Sequence, residues 1–92
     1  MDEPISEAAR RRAIWRANHR GTKEADMLVG GFAARFLDGM GAEEFAWFEA
    51  LLEEQDVDIL SWAFGTALPP PELDGPMMER LRRLDYVTLA PR

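Results

Sequence analysis

Apolar residues recur every three to four positions along most of this chain. Leu28, Phe32, Phe36 and Met40 are spaced by four, with Leu37 beside them. That spacing puts them on one stripe of a helix. Upstream, Ala9, Ala13 and Ala17 share one side of a first helix, with Ile14 one step round and Trp15 further round, partly exposed. Pro4 and Ser6 punctuate its start; Ser6 is a suitable N-cap and Glu7 suits the first turn. This helix runs to about Asn18, and Gly21 ends or kinks the chain there. Thr22 can cap the second helix, with Glu24 and Asp26 at its positive dipole end. Gly30-Gly31 lie inside that helix, where each costs roughly 1 kcal/mol against alanine. The expected compensation is close approach of another helix. Gly39 and Gly41 end the element.

A third helix is predicted over about 42–55, burying Phe45, Phe48, Leu51 and Leu52 and turning Glu43, Glu44, Glu49, Glu53 and Glu54 to solvent. Asp56 reads as the N-cap of a fourth helix reaching Phe64. Ile59, Leu60, Trp62, Ala63 and Phe64 make that helix apolar nearly all round, which predicts a central position. Gly65 is placed to end it. Leu68-Pro69-Pro70-Pro71 predicts a stiff extended connector. A fifth helix begins at Pro71 or Asp74, with Pro76 in its first turn and Met77, Met78, Leu81 and Leu84 as its apolar stripe.

No segment alternates with period two. The predicted fold is therefore all-α, a compact single-domain bundle of about five helices. The domain is 1–92, with a core over about 6–84 and a loose tail over 85–92. Phe32, Phe36, Phe45, Phe48, Leu52, Leu60 and Leu81 are the expected core.

Length changes this picture by limiting it. With 92 residues the chain makes one domain and buries only roughly 60–65% of its unfolded surface, so a deeply enclosed active site is not expected. There are no cysteines, which removes disulfides, thiolate zinc sites and cysteine nucleophiles together.

The net charge is −6, unevenly spread. Residues 10–23 carry Arg10, Arg11, Arg12, Arg16, Arg20 and Lys23 and no acid. Residues 37–64 carry Asp38, Glu43, Glu44, Glu49, Glu53, Glu54, Asp56 and Asp58 and no base. One basic and one acidic face are expected. An acidic whole argues against general DNA binding. No apolar run approaches the ~20 residues of a membrane span. The start lacks the order of a signal peptide, and Asp2, Glu3 and Glu7 argue against a mitochondrial presequence. A cytoplasmic location, no membrane insertion and a monomer when free are expected.

Candidate chemistry is sparse. His19 is the lone histidine and cannot make a multi-histidine metal site; a structural or interface role is expected. Asp56-x-Asp58 begins like a calcium loop, but Leu60, Trp62 and Ala63 stand where oxygens and glycine are required. Gly39-Met40-Gly41 lacks both the third glycine and a preceding strand of a dinucleotide loop. Arg10-Arg11-Arg12 point in different directions on one helix, so a solvated face is expected. Arg20-Gly21-x-x-Glu24 differs. A glycine stop followed by a helix start explains Gly21, Thr22 and Glu24, but not the charge crowded beside Trp15, Arg16 and His19. Tryptophan and arginine are favoured interface anchors.

At this stretch, Arg20-Gly21-Thr22-Lys23-Glu24-Ala25-Asp26 resembles the Arg-Gly-x-x-Glu-x-Asp signature of the succinate dehydrogenase assembly factor 2 family, whose bacterial members are also called FAD assembly factors. The resemblance extends over about 10–84. It takes in Trp15-Arg16, Leu28 to Phe36, Glu44-Phe45…Phe48…Leu51-Leu52 and Asp56-x-Asp58-x-Leu60-x-Trp62. Gly41 departs from the usual serine or threonine cap, Ala25 replaces a larger apolar residue, and Gln55 and Val57 stand where proline is frequent.

The resemblance implies a five-helix assembly factor without a catalytic site of its own. It implies binding to the flavoprotein subunit of succinate dehydrogenase or fumarate reductase, whose own histidine becomes bonded to the 8α-methyl carbon of FAD. No cofactor is then held stably by this chain. Matched by position, Arg20, Gly21 and Glu24 are expected at the interface, Asp26 in support, and Trp15, Arg16 and His19 beside them. Arg20 and Glu24 are expected free to reach the partner, and Gly21 in a backbone conformation hard for other residues. Two other classes stay open on the residues: a nucleic-acid-binding or toxin-neutralising protein using the Arg10–Lys23 face, and a small enzyme or FAD carrier.

Overall fold

Ser6 and Thr22 start the first two helices, each accepting a backbone N–H three residues on: Ala9 N–H to Ser6 Oγ at 3.0 Å and Ala25 N–H to Thr22 Oγ1 at 3.1 Å. The computed structural model describes residues 5–87. Within them the chain forms α1 (Glu7–Asn18), α2 (Lys23–Phe36), α3 (Ala42–Leu52), α4 (Asp56–Phe64) and α5 (Pro76–Arg82). The last turn of the α2 stripe tightens into a 3₁₀ turn at Leu37–Gly39. The described residues contain no strand. The all-α five-helix bundle expected from the apolar spacing is the observed fold.

Several boundaries differ. α3 stops at Leu52 rather than Gln55, because Glu53 and Glu54 turn back onto the carbonyls of Ala50 and Leu51. Asp56 is the first residue of α4, not its cap; Gln55 precedes it without a side-chain cap bond. Gly41 opens α3 with no side chain to offer, and Glu44 compensates by accepting the Gly41 N–H at 3.2 Å. α5 begins at Pro76, later than Pro71 or Asp74. The proline stretch leads into a turn in which the Leu73 and Asp74 N–H groups bond the Pro70 carbonyl. Trp47 Nε1 donates to the Leu73 carbonyl at 2.8 Å, which fastens this connector to α3.

Phe32 stands at the centre of the core, fully buried, its ring 4.9 Å from Phe36, 5.9 Å from Trp47 and Phe48, and 5.1 Å from Tyr86. Phe45, Phe48, Leu52 and Leu81 are buried with it as expected, whereas Phe36 and Leu60 are only half-buried. Phe36 lies at the rim, under the guanidinium groups of Arg35 and Arg80. α4 is not central: Ile59, Trp62 and Ala63 face inward, but Phe64 is 58% exposed. A helix at the surface needs only one apolar stripe; the surplus apolar residues of α4 reach solvent.

Gly30-Gly31 do allow close approach. A Cβ on Gly30 would collide with the Asn18 side chain of α1, and one on Gly31 would sit 3.1 Å from the Tyr86 carbonyl. Gly65 ends α4 at φ 78°. Of the stretch read as a tail, residues 85–87 are described, and Tyr86 is buried on Phe32 with its hydroxyl donating to the Leu81 carbonyl at 2.6 Å. Residues 88–92, like 1–4, lie outside the described residues.

Phe48→Ala is expected to cost about 3–5 kcal/mol, enough to unfold much of a domain this small; an unchanged melting temperature would overturn the core assignment. Tyr86 gives a pH test. Burial, reinforced by the Asp85 charge, pushes its phenol well above the ordinary range. The unfolded chain ionises Tyr86 near pH ~10 while the folded chain keeps it protonated, so this stability is intact below ~10 and lost as pH rises beyond. Melting curves between neutral and strongly alkaline pH should therefore fall more steeply for wild type than for Tyr86→Phe. The variant should itself start about 1 kcal/mol less stable through its lost hydrogen bond.

Candidate functional site

The joint between α1 and α2 is closed by its own side chains. The carbonyls of Trp15 and Arg16 have no helical N–H to accept. His19 serves both: its backbone N–H donates to Arg16 at 3.3 Å, and its ring Nδ1 donates to Trp15 at 2.7 Å. The same ring stacks on Trp15 at 4.1 Å, and Trp15 remains 61% exposed. Beyond His19 the Arg20 N–H donates to Asp26 Oδ1 at 2.6 Å. Asp26 thus holds the joint from the first turn of α2, where the helix dipole favours a carboxylate.

The guanidinium of Arg20 turns inward. Nε donates to Asp56 Oδ1 at 2.8 Å, one terminal nitrogen to the Leu52 carbonyl at 2.9 Å, and the other to the Glu54 carbonyl at 2.7 Å. Its side chain is only 9% exposed. These acceptors are the loose carbonyls at the end of α3 and an acid in the first turn of α4. The C-terminal end of α3 is the negative end of its dipole, so a cation there is favoured. The expectation that Arg20 is free is therefore corrected. It reaches a carboxylate and two carbonyls, all belonging to its own chain.

Gly21 also has a different reason from the one expected. Among the described residues positive φ belongs to Gly65, Gly75 and Leu84, not to Gly21. Space is the constraint: a Cβ on Gly21 would lie 3.0 Å from Asp56 Oδ2, the carboxylate that Arg20 holds. The signature residues Arg20 and Gly21 thus meet at Asp56, thirty-odd positions away. Asp56 belongs to the resemblance, and by sequence its expected role is a helix cap; nothing in local spacing reveals a contact at that separation.

The basic stretch is used in the same way elsewhere. Arg10 donates to the Leu37 carbonyl at 2.8 Å, and Arg16 to the Leu52 carbonyl at 3.3 Å and to Glu53 Oε2 at 2.6 Å. Instead of two separated charged faces, basic α1 and the acidic α3–α4 turn partly neutralise each other. Arg11, Arg12 and Lys23 remain exposed. So do Gly21 and Glu24, and Glu24 has no ion pair among the described residues. Glu24 instead borders an apolar groove formed with Met27, Leu28, Phe64, Leu84 and Val87. Sequence pattern does not reveal this groove, because it places Phe64 in a buried helix and Val87 in a tail. Among the described residues no cluster of three histidine, cysteine or acidic side chains could hold a metal ion.

The fold and this joint define a small all-helical domain braced by one nearly buried arginine. Residues 11–85 match the family described as flavinator of succinate dehydrogenase, and the chain belongs to that family. It is 46% identical over 74 residues to the FAD assembly factor SdhE of Acetobacter pasteurianus, covering 80% of this chain and 68% of that protein. It is 36% identical over 84 residues to the mitochondrial succinate dehydrogenase assembly factor 2-A of Drosophila mojavensis, covering 89% of this chain and 53% of the relative. The mitochondrial succinate dehydrogenase assembly factor 2 of Saccharomyces cerevisiae is 42% identical over 62 residues, 67% of this chain and 38% of its own. The chain thus spans about half or less of the two mitochondrial relatives.

Removing the Arg20 side chain leaves Asp56 and the Glu54 carbonyl without their donor and the Leu52 carbonyl with Arg16 alone. Arg20→Ala is expected to cost roughly 3 kcal/mol in denaturant unfolding, and Arg20→Lys to restore only part, since an ammonium cannot span three acceptors. Gly21→Ala should destabilise wild type by about 1 kcal/mol through displacement of Asp56, and cost far less in an Asp56→Ala background. Additive losses in that double-mutant cycle would separate Gly21 from the ion pair.

Proposed function

We propose that this chain is an assembly factor that binds the flavoprotein subunit of succinate dehydrogenase or fumarate reductase and promotes its covalent flavinylation with FAD. The family match over residues 11–85 carries the reading. The signature divides into two roles. Arg20 and Asp26 hold the joint in shape, and Gly21 and Glu24 are presented on its surface, with stacked Trp15 and His19 beside them. The partner is met by a preformed face. Binding favours the partner conformation in which its histidine stands against the 8α-methyl carbon of FAD, a shift limited by the difference in affinity for the two conformations.

The chain contributes binding rather than catalysis of its own. Its one histidine serves the joint, donating from Nδ1 to the Trp15 carbonyl and stacking on the Trp15 ring. No FAD is stably held: the groove beside Glu24 is apolar with a carboxylate at its edge, which repels a diphosphate. The free protein is a cytoplasmic monomer without affinity for nucleic acid. Arg10, Arg16 and Arg20 donate to the chain's own carbonyls, leaving a reduced basic surface for phosphates. No helix among the described residues is long and apolar enough to cross a membrane.

The test is reconstitution of the apo flavoprotein subunit with FAD, with and without this chain, read as flavin fluorescence of the denatured partner. Wild type should accelerate covalent attachment. Glu24→Ala should melt like wild type and bind the apo subunit roughly thirty- to several-thousand-fold more weakly, the range for truncating a desolvated interface charge. Full flavinylation by folded Glu24→Ala would remove Glu24 from the interface, and no acceleration by wild type would remove the function.

A further inference from the structure

Glu24, Met27 and Leu28 lie at positions i, i+3 and i+4 of α2, so one helix face carries both the signature carboxylate and two apolar side chains. That face borders an open groove of about 360 Å³, closed on its other sides by Phe64 at the end of α4 and by Leu84 and Val87 after α5. Two observations separate it from ordinary surface, the exposure of Phe64 and the lack of an ion pair at Glu24 among the described residues. Phe64 is 58% exposed, whereas Phe32, Phe45 and Phe48 are buried. Leu84 has φ 60°, the one non-glycine residue with positive φ among the described residues. That left-handed turn is a common stop at the position after a helix C-cap, and it turns the chain so that Leu84 and Val87 border the groove. Glu24 is the one acidic or basic side chain on the groove, without an ion pair among the described residues.

An apolar occupant would strip water from that carboxylate. Burial of an uncompensated charge is costly, so the occupant must bring a cation. Resting on the function proposed above, we infer that this groove is the anchoring pocket for the flavoprotein subunit. It takes one large apolar side chain of that partner, with an arginine or lysine close in sequence pairing with Glu24. Glu24 stands three residues after the exposed Gly21, so a partner that contacts the joint at Glu24 is already at the edge of the groove. Phe64, Met27 and Leu84 supply the apolar contact, and Glu24 sets its orientation.

The test is titration of the apo flavoprotein subunit with full-length wild type and with Phe64→Ser, Met27→Ser and Glu24→Gln, each first checked by melting curve. Val57→Ser is the control, because Val57 is 63% exposed on α4 and does not border the groove. Phe64→Ser and Met27→Ser should lose at least about tenfold in affinity and Val57→Ser nothing measurable. Glu24→Gln should flatten the salt dependence of binding. Wild-type affinity for both folded serine variants, with wild type still accelerating flavinylation, would overturn the groove and leave the proposed function standing. Absence of binding by wild type would overturn both. Two further results would assign the groove to another occupant. One is self-association of wild type abolished by Phe64→Ser with partner affinity unchanged. The other is a Phe64→Ser loss of stability that vanishes when residues 88–92 are deleted.

Discussion

A single guanidinium holds the two halves of this domain in register. Arg20 projects from the α1–α2 joint and meets Asp56, the Leu52 carbonyl and the Glu54 carbonyl at once. Those acceptors lie on both sides of the α3–α4 turn. A planar fork with five fixed donors can satisfy them only in one relative placement of joint and turn. Any sliding of α1 and α2 against α3 and α4 breaks all three bonds together. Because the side chain is nearly buried, the lost bonds are not fully replaced by water.

The neighbouring features follow from that constraint. Gly21 leaves room for the Asp56 carboxylate, Asp26 holds the backbone of Arg20 from α2, and Arg16 adds a second donor to the Leu52 carbonyl. Packing supports the same placement. Gly30 lets α2 close against Asn18 of α1, and Phe32 carries the aromatic cluster that joins α2 to α3 and to Tyr86. A chain of this length has a thin core, so polar ties at helix ends share the work of fixing helix angles.

The charge distribution acquires meaning from the same contacts. Arg10, Arg16 and Arg20 each donate to carbonyls at the C-terminal end of another helix or the turn after it, where the dipole is negative. The arginine-rich first helix is thus largely a bracing element. Gly21, Glu24 and the Trp15–His19 stack remain outward around the joint, whose shape the inward-facing arginine maintains.

Local chemistry in the sequence determined the helix count, the caps at Ser6 and Thr22, the stop at Gly65 and most of the core, because apolar period and capping act within a few residues. It also made the Arg20–Asp26 stretch legible as the distinctive segment of the chain. Tertiary structure alone decided which of those residues face outward. The direction of Arg20 depends on acceptors at Leu52, Glu54 and Asp56, and the need for glycine at Gly21 depends on the same distant carboxylate. Phe64 carries the lesson in the other direction. Its apolar character predicts burial, but burial requires a neighbour to cover the side chain, and which helix faces find one is settled only when all five have packed.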